Sequence, residues 1–190
     1  MKWLAYRYLM LRGWTFIGAL PDVPKMIVIG APHTTNWDFV AFLAAMRAYR
    51  MKARFLAKHG LFRWPFGYFF TALGGIPVGG SKSGGVVGQV ARVFDEAEHI
   101  TLVIAPEGTR ASVPSWKSGF LKMAEATSVP VVLAAVDFPR REITIGPTIV
   151  IRGEVSSFMD RVRAFYSDKE GLHPELKGPV QLRNESSALG

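Results

Sequence analysis

Met26-Ile27-Val28-Ile29-Gly30-Ala31-Pro32-His33-Thr34-Thr35-Asn36-Trp37-Asp38 (residues 26–38) joins an apolar run to a polar loop, and apolar residues at helical spacing follow: Phe39, Phe42, Leu43, Met46 and Tyr49. A short apolar run that ends in a turn and hands over to a helix reads as a buried strand of an α/β unit. The loop places His33 and Asp38 at the carboxyl end of that strand, where open α/β sheets hold their chemistry. A neutral imidazole takes a proton from an attacking hydroxyl when a carboxylate fixes its tautomer through the other ring nitrogen, and a tight turn can fold Asp38 back onto His33.

The same alternation runs outward from this stretch. Strand-like runs lie at residues 26–29, 54–57, 76–78, 101–105 and 129–136, with helical patterns at 39–50, 64–73, 86–98 and 116–127. This predicts an α/β fold, a single domain with a largely parallel central sheet flanked by helices. Residues 142–151, with Gly146-Pro147 inside them, read as extended strands around a turn, and Phe158, Val162 and Phe165 mark a short amphipathic helix. From Gly171 onward, Gly, Pro, Ser, Asn and charged residues suggest a weakly ordered tail. The expected division is therefore an N-terminal helix at 1–25, interfacial or packed, a domain at 26–170 and a tail at 171–190.

Composition narrows the chemistry. The 190 residues are 49% hydrophobic and contain no cysteine, so disulfides, thiolate nucleophiles and cysteine-based zinc sites are excluded. A net charge of +8 predicts attraction to something acidic: nucleic acid, anionic lipid, an acyl carrier protein or a phosphorylated cofactor. Arg47, Arg50, Lys52, Arg54, Lys58 and Arg63 precede the block Trp64-Pro65-Phe66-Gly67-Tyr68-Phe69-Phe70. Cations running into aromatics suit a surface that meets lipid headgroups and acyl chains, or else a solvated face beside core aromatics. No nucleic-acid recognition signature accompanies them. In residues 1–20, Lys2, Arg7 and Arg12 spread around a helical wheel, and the longest uncharged run, 13–21, is far shorter than the roughly 20 residues needed to span a bilayer. The charges also interrupt any signal-peptide apolar region. The segment is expected to lie in a membrane interface or to pack on the domain.

A second chemical block, Pro106-Glu107-Gly108-Thr109-Arg110, follows the strand pattern 101–105 and delivers an acid, a hydroxyl and a guanidinium to the carboxyl end of another strand. Arg110 could bind a phosphate bidentately, Glu107 could orient it or bind an acceptor hydroxyl, and Gly108 permits close backbone approach. By itself Glu-Gly-Thr-Arg is a common turn. His59, His99 and His173 have no partner at informative spacing.

Taken in order, His-x-x-x-x-Asp and Pro-Glu-Gly-Thr-Arg, with Gly74-Gly75-Ile76-Pro77-Val78 between them and Lys117-Ser118-Gly119 and Val129-Pro130-Val131-Val132 after them, resemble the glycerolipid and lysophospholipid acyltransferase superfamily, which includes 1-acylglycerol-3-phosphate acyltransferases. The resemblance implies transfer of a fatty acyl group from acyl-CoA or an acyl carrier protein to a hydroxyl acceptor such as a lysolipid, at the cytoplasmic face of a membrane. The protein would be peripheral, with no cofactor, no metal and no nucleic acid. It implies His33 as general base and Asp38 as its partner, with Glu107, Gly108, Thr109 and Arg110 shaping the acceptor site. Backbone amides of residues 34–36 or of Gly108 are candidates for the oxyanion.

The sequence departs from the family where a cation usually follows the second block: here stands Gly79-Gly80-Ser81-Lys82-Ser83. Either Lys82 substitutes as a point charge, or amides of the glycine-rich turn bind an anion, or the acceptor carries no phosphate, as a natural-product alcohol would not. The turn does not match Gly-x-x-x-x-Gly-Lys-Ser/Thr, which disfavours a kinase or NTPase, and no Gly-x-Ser-x-Gly elbow marks a serine hydrolase. Water in place of the alcohol would make the site a thioesterase, and a non-catalytic lipid-binding protein is the remaining class.

Overall fold

The computed structural model describes residues 1–64, 66–79, 85–152, 154–183 and 185, with backbone alone at Lys58 and Phe66. Seven strands form one sheet, β1 (Thr15–Ile17), β2 (Lys25–Ala31), β3 (Ala53–Lys58), β4 (Gly75–Val78), β5 (Ile100–Ile104), β6 (Val131–Asp137) and β7 (Glu142–Ile149), in the order β1-β7-β6-β2-β5-β3-β4. All neighbours are parallel except β6 and β7, so the largely parallel α/β sheet expected from the sequence is what forms. The helices are α1 (Lys2–Leu11), α2 (Trp37–Ala48), α3 (Phe66–Ala72), α4 (Gly85–Glu96), α5 (Gly119–Thr127) and α6 (Val155–Tyr166).

The strands nearest the middle are buried on both faces, as parallel strands must be. Ile27, Ile29, Leu102, Val131 and Leu133 face one layer with Val90, Phe94, Phe120, Leu121 and Met159 of α4, α5 and α6. Met26, Val28 and Val132 face the other side, where Ala41, Leu43, Ala44 and Met46 of α2 and Ala5 and Leu9 of α1 complete the core. The chain leaving β2 therefore turns to one face through α2, and the chain leaving β5 turns to the other through α5. Loops that part in this way leave a crevice at the carboxyl ends of two adjacent strands.

Four details differ from the sequence-based expectation. The N-terminal helix stops at Leu11; Gly13, with φ of 76°, turns the chain, and β1 follows, too short for its alternation to register as a strand. Gly146-Pro147 does not break residues 142–149 into two strands, because the register against β6 shifts between Val132 and Ala134 and Pro147 falls in that irregularity, where no ladder donor is required. Four of the six cations are parted from the aromatics: parallel β3 starts at the sheet's far end, so Arg47, Arg50, Lys52 and Arg54 lie at the end opposite the crevice, while Arg63 stays with Trp64 beyond the strand's carboxyl end. Residues 171–182, suggested as a loose tail, form a strap across the domain. Leu182 is buried and bridges Trp116, and the Trp116 amide donates to Gln181 O at 2.7 Å.

Candidate active site

β2 and β5 are paired in register, with Ile27 opposite Leu102 and Ile29 opposite Ile104, so the loops carrying His33 and Glu107 leave the sheet side by side. Asp38 sits in the first turn of α2, where the helix dipole favours a carboxylate, and is only 8% exposed. One of its oxygens, Oδ2, accepts three hydrogen bonds: from His33 Nδ1 at 3.0 Å, from the Thr34 amide at 2.9 Å and from the Thr35 amide at 3.0 Å. A carboxylate oxygen is acceptor-only, so Nδ1 carries the hydrogen and Nε2 is left as the basic nitrogen. The His33 side chain is 32% exposed, and among the described residues Nε2 has no partner.

Glu107 stands behind this pair. It is 4% exposed, and both its oxygens accept the His33 backbone N–H, at 2.9 and 3.2 Å. Burial pushes its carboxyl up to about 7, against the stabilising pull of the His33 amide. Three successive amides, those of His33, Thr34 and Thr35, are thus held by two buried carboxylates.

The sequence suggested Glu107, Gly108, Thr109 and Arg110 together as the acceptor site, and the structure separates them. Glu107 turns inward and holds backbone, while Gly108, Thr109 and Arg110 are exposed, and Arg110 has no hydrogen-bond or ion-pair partner among the described residues. Gly108 has φ of 69°, and a Cβ there would come within 2.6 Å of Lys117 Nζ, so the turn requires glycine and lays the Lys117 side chain across it. Lys117 is the cation that reasoning from the sequence missed; its place one residue before Ser118-Gly119, at the start of α5, was the available signal. Lys82 lies outside the described residues. Of the amides suggested for an oxyanion, those of Thr34 and Thr35 are taken by Asp38 and that of Gly108 by Ala105 O at 3.0 Å, leaving Asn36 with no amide partner among the described residues.

The strap holds the His33 loop from outside and is itself tied to the end of α6. The His173 amide donates to Thr34 Oγ1 at 3.3 Å, and Lys177 Nζ donates to the carbonyls of Lys169 at 2.6 Å and Tyr166 at 3.1 Å. A concavity of about 610 Å³ opens elsewhere, between α6 and the strap, rimmed by the Arg163–Glu185 ion pair. None of the described residues that line it is a histidine beside a carboxylate, as His33 is beside Asp38.

Residues 18–137, well over half of the chain and including both loops, match the sequence model of the family described as Acyltransferase. The chain belongs to that family. The fold of this acyltransferase is similar to the crystal structure of the 1-acyl-sn-glycerophosphate acyltransferase PlsC from Thermotoga maritima, with a TM-score of 0.60 and 18% identity over 88% of this chain and 74% of that one. No curated protein sequence matches it.

Proposed function

We propose that this acyltransferase moves a fatty acyl group from an acyl thioester, acyl-CoA or acyl carrier protein, to a hydroxyl acceptor of the lysophospholipid kind, with His33 as general base. The observation that carries this is the three-bonded Oδ2 of Asp38, which fixes the Nδ1–H tautomer and leaves Nε2 open at a partly exposed position. The acceptor oxygen attacks the thioester carbonyl carbon as its proton passes to Nε2; the tetrahedral intermediate then collapses, and the departing thiolate takes the proton back from the imidazolium. Asp38 stabilises the cation formed in between. A thioester needs no further activation, so neither an enzyme nucleophile nor a cofactor enters the scheme.

Lys117, laid across Gly108, and Arg110, two residues after it, are both exposed and suited to an anionic acceptor, which favours a phosphate-bearing lysolipid over a neutral alcohol. Aromatic and apolar side chains stand uncovered on α1 and on the residues around the crevice. Trp64 is 92%, Tyr68 87% and Leu11 81% exposed, and Tyr8 stacks on the half-exposed Trp37 at 6.1 Å between ring centres. With Arg7, Arg12 and Arg63 nearby in sequence, these side chains suit a peripheral protein resting on an anionic leaflet with its crevice toward the lipid, at the cytoplasmic face. No described helix is long and apolar enough to cross a membrane.

The deciding experiment is mass spectrometry of products formed from long-chain acyl-CoA or acyl carrier protein with a panel of lysophospholipids, glycerol phosphates and neutral alcohols, using folded His33→Ala as the blank. Thiol release without any ester product would make the protein a thioesterase, and donor binding without turnover would make it a lipid-binding protein.

A further inference from the structure

Glu107 is surrounded on every side by groups it already serves or senses. His33 and Asp38 lie on the loop after β2, the Tyr166 hydroxyl comes from α6, Lys177 comes from the strap, and Lys117 lies across the adjoining Gly108. Its carboxyl shares a small internal space with Pro32, Trp116, Tyr166, Lys177, Gly178 and Val180, whereas Arg110, three residues on, is exposed. To touch an acceptor hydroxyl, the carboxylate would have to release the His33 amide and leave its burial site.

We propose that Glu107 is a positioning residue for the base: its carboxylate grips the main chain of His33, so setting where the imidazole stands, and it contacts no acceptor. A bond from an amide to a carboxylate is about twice as strong as one to a neutral group. Protonation of Glu107 removes that advantage and leaves a carbonyl oxygen as the only good acceptor. With the carboxyl titrating at about 7, the grip tightens as pH rises through neutrality.

The role of Glu107 in turnover rests on the general-base reading of His33; the grip itself does not. The test therefore has two arms. In the first, the residue 33 amide is followed by proton–nitrogen NMR from pH 5.5 to 8.5, with selective labelling, in the wild type and in His33→Gln, which keeps the backbone N–H and removes the imidazole. The amide proton should move downfield with a midpoint near 7 in both proteins and stay flat in Glu107→Gln. An amide that does not titrate in a folded His33→Gln protein overturns the proposal. In the second arm, Glu107→Gln should lower kcat on the order of 100-fold, the cost of misplacing a catalytic group by about 1 Å, with acceptor KM unchanged for every acceptor. The acid limb of its pH profile should lose the step near 7 that ionisation of Glu107 gives the wild type. A raised acceptor KM with kcat intact would make Glu107 an acceptor ligand and overturn the proposal. A titrating amide in a protein that acylates no acceptor would uphold the grip and sink the reaction instead, so the two failures are distinguishable.

Discussion

Asp38→Asn separates charge from geometry at this site. In many base–orienter pairs an amide can turn over and present its nitrogen to the histidine, which reverses the tautomer. Here the Thr34 and Thr35 amides both point at the same oxygen that accepts His33 Nδ1, so only the oxygen of an asparagine fits there. The Nδ1–H tautomer is retained, and what disappears is the charge that stabilises the imidazolium. Two unit charges about 4 Å apart in a partly buried setting interact by about 4 kcal/mol, and with the imidazolium half formed in the transition state about 2 kcal/mol of that is at stake. The expected loss in kcat is therefore roughly 30-fold, and up to about 1,000-fold if proton transfer is complete, at 1.4 kcal/mol per tenfold. Three bonds to a charged acceptor become bonds to a neutral one, which should lower stability by roughly 1–3 kcal/mol. Steady-state thiol release on a lysolipid acceptor, with urea denaturation in parallel, measures both. A folded variant that loses less than about threefold in kcat would refute stabilisation of the imidazolium by Asp38. A variant as dead as His33→Ala would refute the pinned tautomer.

Other perturbations test other parts of the structure. Glu107 has its carboxyl raised from 4.5 to about 7, so the stability it contributes is full below pH 4.5 and is lost as pH rises through 7. Relative to the wild type, Glu107→Gln should gain about 2–3 kcal/mol in urea unfolding between pH 5 and pH 8, while losing activity. Arg110→Ala should raise KM for phosphorylated acceptors by roughly 10–100-fold, the equivalent of one charged hydrogen bond, and leave neutral alcohols nearly unaffected; equal loss on both would make the arginine structural. Leu11, Trp64 and Tyr68 changed together to alanine should cut partitioning onto anionic vesicles at least about tenfold without shifting Tm, since burying each in lipid is worth up to roughly 1.5–3 kcal/mol. Deleting residues 1–20 is a poor substitute for that experiment, because Leu9 and Trp14 belong to the core. Gly171→Ala drives a methyl into Thr34, so it should destabilise the fold by about 1–3 kcal/mol and slow turnover from a position remote in sequence; normal kcat would show that the strap does not support the loop.

The central strands were legible because burial on both faces leaves continuous apolar runs, and both chemical loops were legible because each follows such a run. The pairing of His33 with Asp38 could be read from spacing, since one tight turn spans it. The inward turn of Glu107 could not, because its partner is a backbone amide 74 positions away and amides have no signature in sequence. Most of the basic run, adjacent to the aromatic block in the chain, is divided from it by the length of β3, a separation that only the direction of the strand reveals. The strap misled for a related reason. Its composition is that of a loop, yet Leu182 under Trp116 and the hydrogen bonds to Thr34 and from Trp116 tie it down locally.

The register of β2 against β5 also governs which parts of this enzyme are free to vary. His33 and Glu107 follow Ile29 and Ile104, which face each other across the ladder, and a one-residue slip of either strand would turn its buried side chains to the wrong face. The relative placement of His33, Asp38 and Glu107 is therefore set by one pair of strands. The exposed stretch 109–112, and 59–64 beyond β3, lie outside that ladder, where surface loops tolerate insertion. On the proposed reading, rewriting those loops should change which acceptor is taken and leave the His33–Asp38 geometry as it is.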